Sequence, residues 1–253
     1  MDRKTFLRLF SEEDPAAMAV LHETIEMAFN GRPVVSQSFY TPDVWSKLSG
    51  IPGALPENSG FHPFMDSDRR LFASPLDLAE DEIRVLAVKN LYPGRALGHR
   101  DYMGALMNLG IRREKFADLF VVEDTCYIPM TAGLLPFVME HLQKVGNNGV
   151  SLQEVDPSLM QGFQRAFEER GILVSSLRID VLVAEITNLS RKKAEELIKA
   201  GKVQLNHSEM KSRSENVRTG DILTIRGYGK FRIGEGAGET RKGRLRLTIE
   251  KYL

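Results

Sequence analysis

The sequence predicts an α+β chain made of more than one domain, on three observations. Apolar residues recur at helical spacing in the first 77 residues. Strand and helix patterns follow in the order β-α-β-β-α-β. The last third holds two short amphipathic helices and then short strands. A length of 253 residues suits two or three small domains better than one large one. The predicted division is a mainly helical region, 1–77, a middle domain with a strand or linker extension, 78–177, and a C-terminal domain of two helices plus a small sheet, 178–253.

In the first region, "DPAAMAVLHETIEMAFN" places Ala17, Val20, Leu21, Thr24, Ile25 and Phe29 near helical spacing. Asp14 is the predicted N-cap, Pro15 sits at the first helical position, and Asn30-Gly31 ends the helix. Thr41-Pro42 opens another helix through Trp45 and Leu48, and "GIPGALPENSGFHPFMDSD" reads as a Pro/Gly-rich loop. In the middle, "IRVLAVKN" is a strand, "HRDYMGALMNLG" a short helix, and "DLFVVED" and "TCYIPMT" a hairpin. "AGLLPFVMEHLQKVG" is a helix that tolerates Pro136 in its first turn, and "VSLQEV" is the final strand. That order is the ferredoxin-like, RRM-like plan. No RNP-like aromatic pair accompanies it, which argues against base stacking on the sheet face.

In the last third, Ile179, Leu182, Val183 and Ile186 share one helix face. A second helix is capped by Ser190, buries Ala194, Leu197 and Ile198, and stops at Gly201. "KVQLN" and "DILTI" are short strands; "GRLRLTIEKYL" is a last strand after a glycine-rich loop, "GEGAGETRKGRL".

Formal net charge is zero, but the charge is segregated. Residues 178–253 carry 17 Lys and Arg against 10 Asp and Glu, a net +7, and residues 1–177 carry 17 against 24, a net −7. Such asymmetry is expected where one part of a chain meets a polyanion. The stretch "SRKKAEELIKAGKVQLN" sharpens the point: Arg191, Lys192 and Lys193 open a helix. A helix N-terminus already presents unpaired N–H groups and the positive end of the macrodipole, so three cations there add to an unfavourable potential. On charge alone, the fold should be no worse without them. With no run of 18 apolar residues, no transmembrane helix is expected. The N-terminus lacks a signal-peptide pattern, and the lone Cys126 supports neither an internal disulfide nor a metal cluster. The expectation is a cytoplasmic protein with no membrane partner.

Residues 176–225 resemble the S4 RNA-binding domain: Arg178 and Asp180, then Ser190-Arg191, Ala194, Ile198, Gly201, Val203 and Asn206, and finally Gly220-Asp221. His207 stands where the family often has glycine, which suggests a different turn, because a positive φ is costly without it. "LGHRDYMGALMNLGIRREKFADLFVVED" is similar to the central segment of the YlmH-type S4 proteins of bacteria, with Ala117-Asp118-Leu119 in place of Gly-Asp-Ile. The resemblance implies a non-catalytic RNA-binding protein with no cofactor. Its implied partners are structured RNA, ribosomal and possibly transfer RNA, on the large ribosomal subunit where a peptidyl-tRNA is stranded. The residues it assigns to RNA are Arg178, Ser190, Arg191, Lys192, Lys193, Lys202, Asn206, Lys211, Arg213 and Arg218. A mostly cationic surface with few aromatics reads RNA shape more than base sequence.

Two other classes remain open at this stage: an adaptor in cell division with secondary RNA binding, and an RNA-modifying enzyme of the pseudouridine-synthase kind. The residues offer little for catalysis. His99-Arg100-Asp101 lacks the asparagine that a kinase loop needs at position 106, which is Leu, and is expected to cap or pin its helix. The glycine-rich stretch lacks the Lys-Ser/Thr of a P-loop, and the five histidines have no metal-ligand spacing. Glu123-Asp124 reads as a turn. If the +7 segment carries binding, affinity for structured RNA should fall steeply between low and moderate salt in a filter-binding titration; a salt-insensitive affinity would contradict it.

Overall fold

The computed structural model describes residues 1–65, 67–92, 94–162, 167–210, 212, 214–240 and 243–252. The chain divides into two compact units, Met1–Phe163 and Gln164–Leu253.

The first unit begins with helices α1 (Arg3–Leu9) and α2 (Pro15–Phe29). Asp14 caps α2 as predicted, its carboxylate accepting from the Ala16 N–H at 3.0 Å, and Gly31 takes a positive φ of 73° just beyond the helix. Strand β1 (Val34–Tyr40), helix α3 (Pro42–Ser49), and strands β2 (Gly60–Pro63) and β3 (Arg70–Ser74) follow, with β3 central in an antiparallel sheet of order β1-β3-β2. The region is therefore helix plus sheet, not mainly helical. Serines obscure β1 in the sequence. Ser36 is buried because its hydroxyl donates to the Ser38 carbonyl at 2.9 Å and accepts from the Phe72 N–H at 3.0 Å, beside an irregularity in the β1–β3 register.

The same unit continues through the short helix α4 (Leu78–Glu82), then β4 (Ile83–Asn90), α5 (His99–Asn108), β5 (Phe120–Val122), β6 (Thr125–Thr131), α6 (Leu135–His141), β7 (Lys144–Val145) and β8 (Asn148–Val155). The sheet order is β5-β6-β4-β8-β7, all antiparallel, so the predicted β-α-β-β-α-β connectivity is present with a small extra hairpin at one edge. Leu86, Val88, Cys126, Ile128 and Met130 pack beneath α5 and α6. The opposite sheet face is not open. Val85, Phe120, Tyr127 and Val155 pack against Phe39, Phe64, Leu71 and Ala73 of the N-terminal region.

In the second unit, β9 (Phe167–Val174) leads into α7 (Ile179–Thr187) and α8 (Arg191–Lys199). Strands β10 (Val203–Leu205), β11 (Ser208–Glu209), β12 (Ile222–Ile225), β13 (Gly229–Glu239) and β14 (Leu245–Tyr252) complete it, in the sheet order β11-β10-β12-β13-β14-β9. Ile179, Leu182, Val183, Ile186, Ala194 and Ile198 pack on this sheet, as their spacing predicted. Two features differ from the sequence reading. Residues 167–174, assigned to the extension of the middle domain, pair over all eight positions with β14. Part of the glycine-rich stretch is strand, not loop: β13 runs to Glu239 through register irregularities at Gly236. At Gly234 a Cβ would lie 2.9 Å from the Thr248 carbonyl oxygen, so only glycine fits there.

Ile172 and Val174 of β9 are buried in the C-terminal core, so a fragment that starts at residue 178 loses both, on the order of 3 kcal/mol, and bares the β14 edge. By circular dichroism, fragment 167–253 should melt cooperatively and fragment 178–253 at a clearly lower temperature. Equal melting temperatures would show that β9 adds nothing.

Candidate nucleic-acid interface

The C-terminal unit is organised around one carboxylate. Asp180, in the first turn of α7, is fully buried. Its Oδ1 accepts from Arg178 Nε at 3.0 Å, and its Oδ2 accepts from Arg178 Nη2 at 3.2 Å and Arg191 Nη2 at 2.6 Å. Arg178 is the N-cap residue of α7 and Arg191 the first residue of α8, so one side chain clips together the starts of two helices. Burial alone would raise the Asp180 pKa; the hydrogen bonds from Arg191 and then Arg178 outweigh it and hold the carboxyl below its ordinary value. The Arg178 and Arg191 side chains remain 38% and 59% exposed while their hydrogen bonds to Asp180 fix their position, and a guanidinium carries five donors, more than these bonds use.

This changes the account of the cations at the start of α8. Arg191 is not an uncompensated charge at a helix N-terminus, because Asp180 is its partner. The expectation that the fold is indifferent to all three cations therefore fails for Arg191. Lys192 and Lys193, by contrast, are exposed and have no side-chain partner among the described residues. Ser190 caps α8 as predicted, its hydroxyl accepting from the Lys193 N–H at 3.4 Å.

The long connection before β12 is tied to the same place. The Ile179 N–H donates to the Glu215 carbonyl at 2.9 Å, the Val217 N–H to the Leu177 carbonyl at 2.8 Å, and Arg178 and Asn216 form a bridge. Arg218, exposed, follows two residues later, and its N–H donates to Asp221 Oδ2 at 2.6 Å. Arg178 and Arg191 are thus held at the Asp180 clip, Lys192 and Lys193 follow in the same first turn of α8, and the segment that leads to Arg218 is tied to the start of α7. Asn206 has a structural duty: its Nδ2 donates to Asp221 Oδ1 at 2.8 Å and its Oδ1 accepts from the Ile222 N–H at 2.9 Å. Lys202 stands apart, beyond the far end of a nine-residue helix about 13 Å long. Beside it is exposed Arg226, whose N–H donates to the Lys202 carbonyl at 2.8 Å. The sequence reading missed Arg226; only the β10–β12 register reveals that it neighbours Lys202. Lys211 and Arg213 lie outside the described residues.

His207 corrects another expectation. Asn206 and His207 have φ values of 49° and 68° in the two-residue connection of β10 to β11, so the turn keeps its positive φ without glycine. Two-residue hairpins favour that twist, and Asn and His enter the left-handed region more readily than most residues.

In the first unit, Asp118 makes a second clip. Its Oδ1 accepts from Arg113 Nη2 at 3.0 Å, and its Oδ2 accepts from Ser67 Oγ at 3.2 Å and the Asp68 N–H at 2.7 Å. It joins the N-terminal region to the middle domain. Burial, then the neighbouring Arg69, pushes the Arg113 pKa down to about 10 against the pull of Asp118. The Asp101 carboxylate accepts from the Gly98 N–H at 2.8 Å and pins the start of α5, as expected of the His-Arg-Asp triplet. Glu123 takes a positive φ of 52° in the β5–β6 turn. Burial raises the pKa of the Cys126 thiol, which disfavours the nucleophilic thiolate. No group of three or more potential metal ligands occurs among the described residues. No helix among them is long and apolar enough to cross a membrane.

Residues 79–158 match the family model described as "Putative RNA-binding domain in YlmH", and residues 177–223 match the S4 domain. Over 210 residues the chain is 31% identical to "Ribosome-associated protein quality control protein P2" of Bacillus subtilis, covering 81% of this chain and 82% of that protein. A solved structure titled "Cell division protein ylmH from Streptococcus pneumoniae" aligns with 18% identity and a TM-score of 0.40, over 58% of this chain and 95% of that one. The chain belongs to the YlmH-type family of S4 RNA-binding proteins.

The Asp180 clip has a pH signature. A carboxyl whose folded pKa is depressed contributes stability above its unfolded value and loses it as pH falls through the folded one. Asp180→Asn should cost on the order of 2 kcal/mol near neutral pH and lose less stability than the parent on acidification below about pH 4. Parallel stability curves in that range, followed by urea denaturation, would contradict the assignment.

Proposed function

We propose that this member of the YlmH-type family is a non-catalytic RNA-binding factor of the large ribosomal subunit that acts where a peptidyl-tRNA is stranded. The observation that carries the reading is the Asp180 clip, which presents Arg178 and Arg191 from a rigid base beside Lys192, Lys193 and Arg218. A phosphate backbone rewards that arrangement, because each neutralised phosphate releases counterions and pre-positioned guanidiniums give up little freedom on binding. Arginine adds bidentate geometry that lysine lacks. The Bacillus subtilis relative, whose name places it in ribosome-associated quality control, supports the ribosome as the setting.

Non-catalytic action is supported by the structural use of the side chains that invite a catalytic reading. Asp101 caps a helix, Asp118 and Asp180 are held by arginines, and Cys126 is buried. Sedimentation of cell extract through a sucrose gradient tests the proposal. The protein should co-migrate with large subunits and crosslink to ribosomal or transfer RNA through peptides containing residues 190–193. Free migration near the top of the gradient would overturn it. A reproducible new pseudouridine or methyl group in RNA incubated with the pure protein would move it to the enzyme class.

A further inference from the structure

The middle domain has a ferredoxin-like sheet, and RNA-binding sheets of this plan stack bases on their open face. Here that face is occupied: Phe39, Phe64 and Leu71 of the N-terminal region cover Val85, Phe120 and Val155. Any RNA contact of this domain therefore lies elsewhere.

The connection between β4 and α5 has features of a prepared contact. Two buried asparagines hold it. Asn90 Nδ2 donates to the Tyr92 carbonyl at 3.2 Å and to the Arg95 carbonyl at 2.8 Å, and its Oδ1 accepts from the Tyr92 N–H at 3.0 Å. Asn148 Nδ2 donates to Asn90 Oδ1 at 3.0 Å and to the Arg95 carbonyl at 3.1 Å. Both asparagines are only 5% exposed. Such a satisfied buried network fixes backbone shape. Yet what it fixes is an exposed tip: Leu91 is 55% and Tyr92 58% exposed. Exposed apolar side chains are common on protein surfaces; what sets these two apart is the buried asparagine network at their base and the cations beside them.

The tip continues into a groove. Tyr92 lies against Gly149, and Gly149 pairs with Lys144 across the β7–β8 hairpin. Lys144 lines a groove of about 470 Å³ with Arg100, Asn108, His141 and Gln143; Asp101 lines it too, its carboxylate engaged by the Gly98 N–H, and Gly104 leaves its α5 wall low. Arg95, Arg100 and Lys144 are exposed and have no side-chain partner among the described residues. Charge complementarity identifies the occupant. This basic patch with one aromatic sits on a unit that carries 15 Lys and Arg against 22 Asp and Glu over residues 1–163. A group of cations on an acidic body favours a polyanion, and an exposed tyrosine beside them favours one that also offers flat bases.

We propose that the β4–α5 tip and the adjoining groove are a second RNA-binding surface, whose ligand is an unpaired RNA segment. One base stacks on Tyr92, and neighbouring phosphates meet Arg95, Arg100 and Lys144. The proposal rests on the RNA-binding reading of the chain, but its failure is distinguishable from failure of that reading.

The experiment uses full-length protein and large ribosomal subunits, with ultraviolet crosslinking and mass-spectrometric mapping of the joined peptides. Crosslinks at Tyr92, in addition to those in the C-terminal unit, are the expected result. Crosslinks confined to residues 178–253 would overturn this surface and leave the general function standing; no crosslinks at all would sink both. A second measurement compares the parent with Tyr92→Ala/Arg100→Gln/Lys144→Gln, all exposed positions, so that thermal stability should be unchanged. Affinity for a ribosomal RNA fragment that bears an unpaired loop should fall at least tenfold, while affinity for a fully paired duplex stays within twofold. Equal affinity of parent and variant for naked RNA, with weaker binding to intact subunits, would assign the surface to a protein partner and overturn the proposal.

Discussion

A carboxylate buried without partners would be expensive enough to protonate or unfold its surroundings. Asp180 avoids this by taking hydrogen bonds from two arginines that come from different helices. The same contacts therefore solve a folding problem and position an interface. They join the starts of α7 and α8, and the Leu177–Arg178 backbone in turn receives the connection that carries Arg218. Two long, flexible side chains are held in place before any ligand arrives, which lowers the ordering cost of binding. Lys192 and Lys193 differ physically. They are tethered point charges whose contribution is electrostatic attraction and counterion release.

The first unit shows a related economy. Asp118 links the N-terminal region to the middle domain through Arg113 and Ser67, and apolar packing closes one face of the ferredoxin-like sheet. An RRM-like topology is therefore present without the open face that usually accompanies it. The net −7 of residues 1–177 discourages nonspecific contact with RNA over most of that surface, which makes a local basic patch with an exposed tyrosine informative.

Much of this was legible in the sequence where local chemistry decides the outcome. The Asp14-Pro15 start of α2, the Ser190 cap, the Gly201 stop and the apolar faces of α7 and α8 are short-range signals. The β-α-β-β-α-β order also followed from them. Misreadings fell where the partner is distant in sequence. The serines of β1 break the apolar alternation, and their burial makes sense only once Ser36 meets Phe72. The pairing of residues 167–174 with β14 spans some 80 positions, and nothing within the strand announces it. The glycines of β13 signal loop locally but satisfy a close approach to Thr248. For the site, charge identified the right helix turn but assigned its three cations one role. Arg191 differs because of Asp180, eleven residues earlier, a residue that the family resemblance marked without giving it a duty.

The most direct test of the central claim is a double-mutant cycle on the full-length protein, with Asp180→Asn, Arg191→Gln and the combination, read for both unfolding free energy and RNA affinity. If the clip positions the interface, the two single variants should each lose stability and RNA affinity, and the double variant should be little worse than either alone in both readouts. Strict additivity, or an Asp180→Asn protein that loses stability while binding RNA as tightly as the parent, would show that the carboxylate holds the fold without preparing the surface.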